Sequence, residues 1–441
     1  MKRLIEDELL AWKEVKFRRP LLLRGARQVG KTYVAKKFGA QFDSFIHVNL
    51  EEEQQPRAIF EKDLDVQRIV RDLSLHARTP IIPGKTLLFI DEIQAVPNAV
   101  TALRYFYEQI PQLHVIAAGS LLDFAIEQVG IPVGRVESLY VYPMSFVEFL
   151  LCTKNEMLVQ EILAHPATEP LSEPIHTMIL SILGQYLAIG GMPGVVQCWA
   201  ETQDPLRCFA LQHALLDTYR NDFVKYARRH QIKYVDLVFN SVPQQLGKKF
   251  KYSDIEGDYR KRELAPALDL LVTAGIAHKV THTSGQGIPL GANVDPQCYK
   301  IIFLDVALSQ ALIGLDCGKW FLNPEQQFVN KGAIVEAFVG QELLAYANPH
   351  AKSYLYYWQR NMPASAAEVD YLIQQGEQVV PIEVKSGTGS TLKSMHAFLE
   401  NHAKSPYGVR FSTQNYSVHQ NIQSFPLYAV AAVKKVLGKG L

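Results

Sequence analysis

A glycine-rich loop, GARQVGKT (25–32), separates an apolar run ending at Leu23 from a segment with helical periodicity. This strand–loop–helix order is the context in which such a loop binds phosphate. Glycines let the backbone wrap around an anion, and the helix N-terminus presents free N–H groups to it. The sequence therefore predicts a nucleotide-binding loop whose phosphate-binding residues are Gly25, Ala26, Arg27, Gln28, Val29, Gly30, Lys31 and Thr32.

A second motif supplies the acids that a nucleotide loop needs. The apolar run Leu87–Ile90 is typical of a buried parallel strand and ends in Asp91 and Glu92. Lys31 is expected to contact the β- and γ-phosphates, and the Thr32 hydroxyl and Asp91 to hold Mg²⁺. Glu92 is the predicted general base that polarises the attacking water.

Two further residues are candidates for hydrolysis. Ser120 ends the apolar run LHVIAAGS, where it could sense the γ-phosphate, and an ordinary strand-ending serine explains the residue equally well. Arg135 follows a glycine-rich turn and could act as an arginine finger on its own or a neighbouring nucleotide. A structural surface arginine is at least as good an interpretation of Arg135.

Composition favours a cytoplasmic, multidomain protein. The chain has 441 residues, 48% hydrophobic and 20% charged, with a net charge of +1. Its five cysteines form no CxxC pair, which argues against a disulfide framework and a zinc site. The charged N-terminus lacks the apolar segment of a signal peptide. No apolar run reaches about 18 residues, so no membrane span or membrane partner is expected.

Two turn-rich segments, 165–174 and 281–297, mark candidate boundaries. They divide the chain into an ATPase-type domain (1–160), a connector (161–297) and a C-terminal domain (298–441). Short helical patterns in the connector, followed by a hairpin-like segment, are compatible with a winged helix. These patterns cover 234–247, 252–259 and 264–280.

The connector carries an excess of positive charge. Residues 205–290 contain 13 lysines and arginines against 8 aspartates and glutamates, a difference of +5. The clusters KKFK (248–251) and RKR (260–262) account for much of it. A basic module can bind DNA or RNA through its phosphates, so 248–262 is a candidate contact surface. A solvated surface without a partner is the alternative.

The C-terminal third predicts a helix, three strands, a helix and a strand. That order is the core of the PD-(D/E)XK nuclease-like, or restriction-endonuclease-like, fold. Asp370 falls on the second strand, and Glu383 and Lys385 share one face of the third because strand side chains alternate. Glu336 or Glu342 would add a helical acid, but not both, since they lie on different helix faces. Asp370, Glu383 and Glu336 would hold Mg²⁺ or Mn²⁺, and Lys385 would orient the nucleophile. The alternative is a structural domain whose charged residues form a solvated strand face.

The motifs GARQVGKT, LLFIDEIQ, IAAGS and GRVESLYVYPMSFVEFL resemble a widespread prokaryotic family of AAA-type ATPases. In that family the ATPase domain precedes a C-terminal domain of undefined function. The resemblance implies an α/β P-loop parallel-sheet domain, ATP binding and hydrolysis, and a winged-helix-type connector. The resemblance implies no known substrate. The C-terminal residue pattern itself suggests a domain that binds or cleaves nucleic acid, or, in a regulatory NTPase switch, recognises a protein. A homo-oligomer is compatible with this class of ATPase.

Overall fold

The computed structural model of the protein describes residues 1–119, 122, 124, 130, 134–360, 367–387 and 392–436. The N-terminal region alternates strands and helices, as the buried runs and amphipathic segments of the sequence predict. Its strands are β1 Leu21–Arg24, β2 Ser44–Asn49, β3 Thr86–Asp91, β4 His114–Ala118 and β5 Glu137–Tyr140; its helices are α1 Ile5–Glu14, α2 Lys31–Gly39, α3 Gln54–Lys62, α4 Val66–His76 and α5 Pro97–Gln109.

The N-terminal strands form one parallel sheet in the order β2–β3–β4–β1–β5. Every residue of β3 is buried, which is typical of a parallel strand covered by helices on both faces. Leu21 and Leu23 of β1 pack into one core and Leu22 into the other, because successive side chains point to opposite faces. The carboxyl ends of β1 and β3 therefore lie together at one edge.

The middle region is helical and ends in a hairpin. The predicted helical pattern at 252–259 is wrong as a helix: only Tyr252–Asp254 form a single 3₁₀ turn. Gly257, with φ of +111°, lies in a conformation that interrupts a helix. The elements are α6 Phe146–Cys152, α7 Glu156–Ala164, α8 Glu173–Ile189, α9 Pro193–Thr202, α10 Pro205–Tyr226, α11 Ile232–Ser241, α12 Lys261–Thr273, β6 Ala277–Thr283 and β7 Val294–Phe303.

The C-terminal region is mixed α/β, and the predicted series of helix, three strands, helix and strand is confirmed. The elements of this series are labelled α16, β8, β9, β10, α17 and β11, and the next sentence gives their bounds. The elements are α13 Val306–Leu312, α14 Lys319–Leu322, α15 Pro324–Asn330, α16 Gly332–Ala345, β8 Leu355–Arg360, β9 Ala367–Gln375, β10 Gln378–Lys385, α17 Lys393–Asn401, β11 Gly408–Ser412, β12 Ser417–His419, β13 Ile422–Pro426 and α18 Val430–Val436.

The second sheet joins the middle and C-terminal regions. Its order is β12–β13–β11–β10–β9–β8–β6–β7, with β6 parallel to β8. The hairpin β6–β7 thus extends the C-terminal sheet instead of standing as a separate wing. The predicted boundary between residues 297 and 298 falls inside β7. None of the helices in the described ranges is long and apolar enough to cross a membrane.

Candidate nucleotide site and C-terminal acidic cluster

The glycine-rich loop connects the end of β1 to the first residue of α2. Gly25 has φ of +135°, and a Cβ there would lie 2.1 Å from the carbonyl oxygen of Val141. Gly30 has φ of +96° and directly precedes the helix. Side chains at these two positions would strain or obstruct the loop, which explains the glycine spacing. The loop therefore has the backbone geometry that the sequence predicts.

Lys31 and Thr32 meet the acid of β3 at this edge of the sheet. The Lys31 ammonium donates hydrogen bonds to the carbonyl oxygens of Gly25 (2.8 Å) and Ala26 (2.7 Å). The Thr32 hydroxyl donates to Asp91 Oδ2 at 2.8 Å, and Asp91 is buried. A hydroxyl and a carboxylate oxygen placed together are hard oxygen ligands of the kind Mg²⁺ takes. The residues present fit a magnesium–nucleotide site.

Glu92 follows β3 with a left-handed backbone, φ of +48°. Gln94 Nε2 donates to Glu92 Oε2 at 2.6 Å. A Cβ at Gly119 would lie only 2.0 Å from Gln94 Oε1, so Gln94 lies against the end of β4. His47 Nε2 on β2 lies 3.5 Å from Asp91 Oδ2. Sequence reasoning missed Gln94 and His47; only the position of Gln94, two residues after Glu92, offered a signal.

Arg3 stabilises the glycine-rich loop through hydrogen bonds of its guanidinium group. Its side chain is 3% exposed and its Nε donates to Glu148 Oε1 at 2.8 Å. Its Nη1 and Nη2 donate to the carbonyl oxygens of Val29 and Tyr142, both at 2.8 Å. One guanidinium thus ties the loop to the N-terminus of α6 and the segment after β5. No local sequence pattern predicted these contacts of Arg3, because the residue lies in a charged segment that we expected to be exposed.

Helix α10 packs against the other side of the loop. Arg27 Nη1 donates to both carboxylate oxygens of Asp222, at 2.7 and 2.8 Å. The Tyr219 hydroxyl donates to the Arg27 carbonyl oxygen at 2.7 Å. The middle region is therefore in direct contact with the predicted phosphate-binding residues.

Ser120 and Arg135 are not brought to the loop by described contacts. Ser120 lies outside the described residues, so its role as a γ-phosphate sensor stays a prediction. Arg135 precedes β5, whose first residue pairs with Leu21 at the start of β1. It therefore lies at the opposite end of the sheet, where its Nε donates to Glu108 Oε1 at 3.0 Å. This position is wrong for a finger acting on the nucleotide of its own chain.

Three predicted C-terminal residues lie side by side on paired strands. The antiparallel pair Ile382–Tyr371 places Glu383 next to Asp370 in the adjoining position. Asp370 Oδ2 accepts a hydrogen bond from the Val384 amide at 2.8 Å. Lys385 Nζ donates to Glu383 Oε1, as expected for residues on one strand face. The strand part of the predicted constellation is therefore assembled.

Helix α16 contributes Glu336 to this cluster and sends Glu342 elsewhere. Glu342 Oε1 accepts from the Phe146 amide at 3.0 Å, at the start of α6. Burial raises the pKa of Glu342 to about 8, partly opposed by hydrogen bonds from Tyr346 and the Phe146 amide. Glu342 thus caps a neighbouring helix, and Glu336 is the helical acid that faces the strands.

A lysine that the sequence interpretation missed lies among these acids. Lys300 of β7 is 2% exposed, and its Nζ donates to Glu336 Oε1 at 2.9 Å. The same nitrogen forms an ion pair with Glu368 and lies 3.7 Å from Asp370 Oδ1. Within the described ranges, no group of three His, Cys, Asp or Glu residues is arranged to hold a metal ion. The C-terminal residues therefore do not fit the metal site predicted from Glu336, Asp370 and Glu383.

Burial and mutual repulsion dominate the electrostatics of this acidic cluster. Burial and then Asp370 raise the pKa of Glu336 to about 7, against the opposing effect of Lys300. Burial and Asp370 likewise raise the pKa of Glu383 to about 7, against Lys385. Burial lowers the pKa of Lys300, but the neighbouring carboxylates outweigh it and the net shift is upward. Lys300 is therefore charged and neutralises part of the cluster.

The predicted basic clusters form one exposed surface, which we call the basic patch (residues 248–251 and 260–262). All six of its lysines and arginines are exposed, and no described acidic side chain forms an ion pair with them. Lys261 Nζ lies 5.9 Å from the ring centre of Tyr252, which brings the two clusters together. The patch thus combines unpaired positive charge with an aromatic ring.

Comparisons with solved structures return matches of low similarity. A Walker-type ATPase of Pyrococcus abyssi has a TM-score of 0.45 and 16% identity, covering 70% of this chain and 94% of that one. The Aeropyrum pernix Orc1 protein in complex with DNA has a TM-score of 0.30 and 13% identity, with coverages of 71% and 93%. The Thermotoga maritima RuvB Holliday junction branch migration motor gives 0.31 and 13%, with 66% and 91%. Scores this low support no conclusion about function.

Family comparisons divide the chain into three segments. No curated protein matches it. Residues 181–318 match a domain of unknown function, DUF8612, and residues 331–430 match another, DUF4143. Residues 17–150, which contain the glycine-rich loop, Asp91 and the parallel sheet, match an AAA domain. This match supports an AAA-type P-loop domain over residues 17–150.

Proposed function

We propose that the N-terminal domain binds ATP with Mg²⁺ and hydrolyses it. The observation that carries this proposal is the hydrogen bond from Thr32 to Asp91, which joins the glycine-rich loop to the acid of β3. Lys31, held over the loop carbonyls, is placed to transfer its hydrogen bonds to the β- and γ-phosphates. The arrangement supports phosphoryl chemistry at this edge of the sheet.

Each residue of the candidate nucleotide site has a separate proposed role in hydrolysis. Thr32 and Asp91 would hold Mg²⁺, which when bound offsets negative charge on the phosphates. Glu92 orients and deprotonates the attacking water, and Gln94 holds the Glu92 carboxylate in place. The loop amides and the N-terminus of α2 face the phosphates. Ser120 would sense the γ-phosphate, and Arg135 can serve as a finger only on the nucleotide of another chain.

Two substitutions separate binding from hydrolysis. Lys31→Ala removes charged hydrogen bonds to the β- and γ-phosphates worth about 1.5–3 kcal/mol each, so ATP should bind roughly 10²- to 10⁴-fold more weakly. Glu92→Gln should bind ATP normally and lose roughly 10²- to 10⁴-fold in turnover. Lys36→Ala, exposed on the same helix, is the matched control. Calorimetric titration and phosphate release measure both, and tight binding by Lys31→Ala would overturn the assignment.

We further propose that the C-terminal region has the PD-(D/E)XK-like fold. The support is the order of α16, β8–β10, α17 and β11, with Asp370 and Glu383 on adjacent strands. We derive no cleavage step, because Lys300 lies where the acids would have to share a metal ion. The order of α11, α12 and the hairpin β6–β7 also supports the predicted winged-helix-like connector, although here the hairpin pairs with β8 of the C-terminal sheet.

Nucleic-acid binding is proposed for the basic patch, because its cations are exposed and unpaired. Replacing Lys248, Lys249 and Lys251 with Glu should weaken binding of DNA or RNA and reduce the salt slope by up to about 3, if each contacts one phosphate. Fluorescence anisotropy over a salt series measures this. The control reverses three exposed lysines of the N-terminal region, Lys2, Lys16 and Lys36. Equal affinity in both triple variants would remove the patch from the proposal.

The alternative is a regulatory NTPase switch whose C-terminal domain recognises a protein. The neutralised acidic cluster favours it, since a binding domain needs no metal. The two functions differ in one measurement. DNA or RNA should stimulate ATP hydrolysis by the wild-type chain if nucleic acid is the partner. A rate that is indifferent to every nucleic acid tested would favour the switch.

A further inference from the structure

We infer that Lys300 is the resident cation of the C-terminal acidic cluster and takes the place of a metal ion there. The cluster consists of Glu336, Glu368, Asp370 and Glu383. This inference does not depend on ATP hydrolysis, and it replaces the metal-dependent interpretation of the cluster.

The ammonium group of Lys300 lies among three carboxylates of the cluster. Its nitrogen contacts carboxylates of Glu336 and Glu368, and it lies 3.7 Å from Asp370 Oδ1. An ammonium has three N–H donors and no acceptor, so it matches three surrounding carboxylate oxygens. Mg²⁺ bound to the same oxygens would lie about 2.0–2.1 Å from each. A metal ion and the Lys300 ammonium therefore compete for one space and repel each other.

The pairing of strand β7 holds Lys300 in place. Its backbone pairs with Val280 of β6 and forms a bridge with Lys249. Its ammonium lies 5.3 Å from the ring centre of Tyr357. The side chain is almost fully buried, so the surrounding packing restricts its movement. The cation is thus supplied by the hairpin, and not by solvent.

Lys300 does not contact the carboxylate oxygens of Glu383, and these two oxygens differ in their hydrogen bonding. Glu383 Oε1 accepts from Lys385, while Glu383 Oε2 is buried and receives no hydrogen bond from the described residues. Removing the Lys300 charge would leave that oxygen beside the carboxylates of Asp370 and Glu336. Lys385 would still pair with Glu383, but the mostly buried carboxylates of Glu336 and Asp370 would lose the Lys300 cation. Carboxylate oxygens placed together are ligands that a divalent ion takes. Loss of Lys300 should therefore create a cation site that the wild type lacks.

The test is a Mn²⁺ titration of the nucleotide-free full chain, followed by electron paramagnetic resonance. Wild type and Asp370→Asn should bind the same number of ions, because neither holds one in the cluster. Lys300→Met should gain one ion, and Lys300→Met/Asp370→Asn should lose it again. Lys279→Met is the control, since Lys279 lies on the same hairpin but pairs with Asp269 outside the cluster. Any Mn²⁺ bound near Thr32 and Asp91 is common to all variants.

Two outcomes would overturn the inference. One is a Mn²⁺ ion in the wild type that Asp370→Asn removes. The other is a Lys300→Met chain with wild-type circular dichroism that binds no additional ion. If Lys300→Met fails to fold, the comparison of wild type with Asp370→Asn still decides whether the native cluster binds a metal.

Discussion

Replacing Arg3 with Met should destabilise the N-terminal domain far more than its place near the chain terminus suggests. The substitution leaves Glu148 buried without its cation and removes donors from the carbonyls of Val29 and Tyr142. Breaking a buried ion pair by removing one partner costs about 3–5 kcal/mol, because the remaining charge stays desolvated. Glu148 keeps hydrogen bonds from the Leu4 and Ser145 amides, which limits the loss to that range.

The measurement is thermal unfolding of the full chain. For a domain of 150–250 residues, 1 kcal/mol shifts the midpoint by about 2–4 °C, so the expected fall is roughly 6–20 °C. Lys2→Met is the control, since Lys2 is the exposed neighbour. ATP binding should weaken as well, because Val29 belongs to the phosphate-binding loop. A loss below about 1 kcal/mol, the value for an exposed pair, would refute the reasoning.

Two further predictions concern pH and assembly. Burial and then Arg18 lower the pKa of His114 from 6.5 to about 4, so the unfolded chain binds the proton first and stability falls as pH drops from about 6.5 to 4. His114→Phe should remove up to about 3 kcal/mol of that loss of stability. Equal midpoints of thermal unfolding at pH 7 and pH 4.5 in the wild type would contradict this prediction. Arg135→Ala should leave ATP hydrolysis unchanged in dilute monomer and reduce it only where chains associate. A fall independent of protein concentration would contradict the placement of Arg135.

The geometry of the candidate nucleotide site was largely predictable because its signals are local. The glycine spacing, the following helix and an acid pair after a buried strand lie in short segments, and the sheet brings their ends together. The parallel order forces β1 and β3 to end at the same edge. Arg3 and Asp222 were not predictable, because their partners lie 145 and 195 residues away and no periodicity marks them.

The C-terminal cluster shows a different limit. Alternation on β10 correctly placed Glu383 and Lys385 on one face, and the helix rotation correctly separated Glu336 from Glu342. Lys300 was missed because it lies before the interpreted segment, on a strand assigned partly to the connector. A single lysine within the apolar run CYKIIF was the available signal, since an unpaired charge is rarely buried.

The hairpin that carries Lys300 also starts at the nucleotide site. Gly275, just after α12, has φ of +72°, and a Cβ there would lie 3.4 Å from the Ala26 nitrogen. Strand β6 begins two residues later, and β7 returns to place Lys300 among the acids. The phosphate-binding loop and the acidic cluster are therefore linked by one short, packed segment. Because the cluster's cation comes from this segment, a displacement of the segment would change how closely Lys300 approaches the carboxylates of Glu336, Glu368 and Asp370.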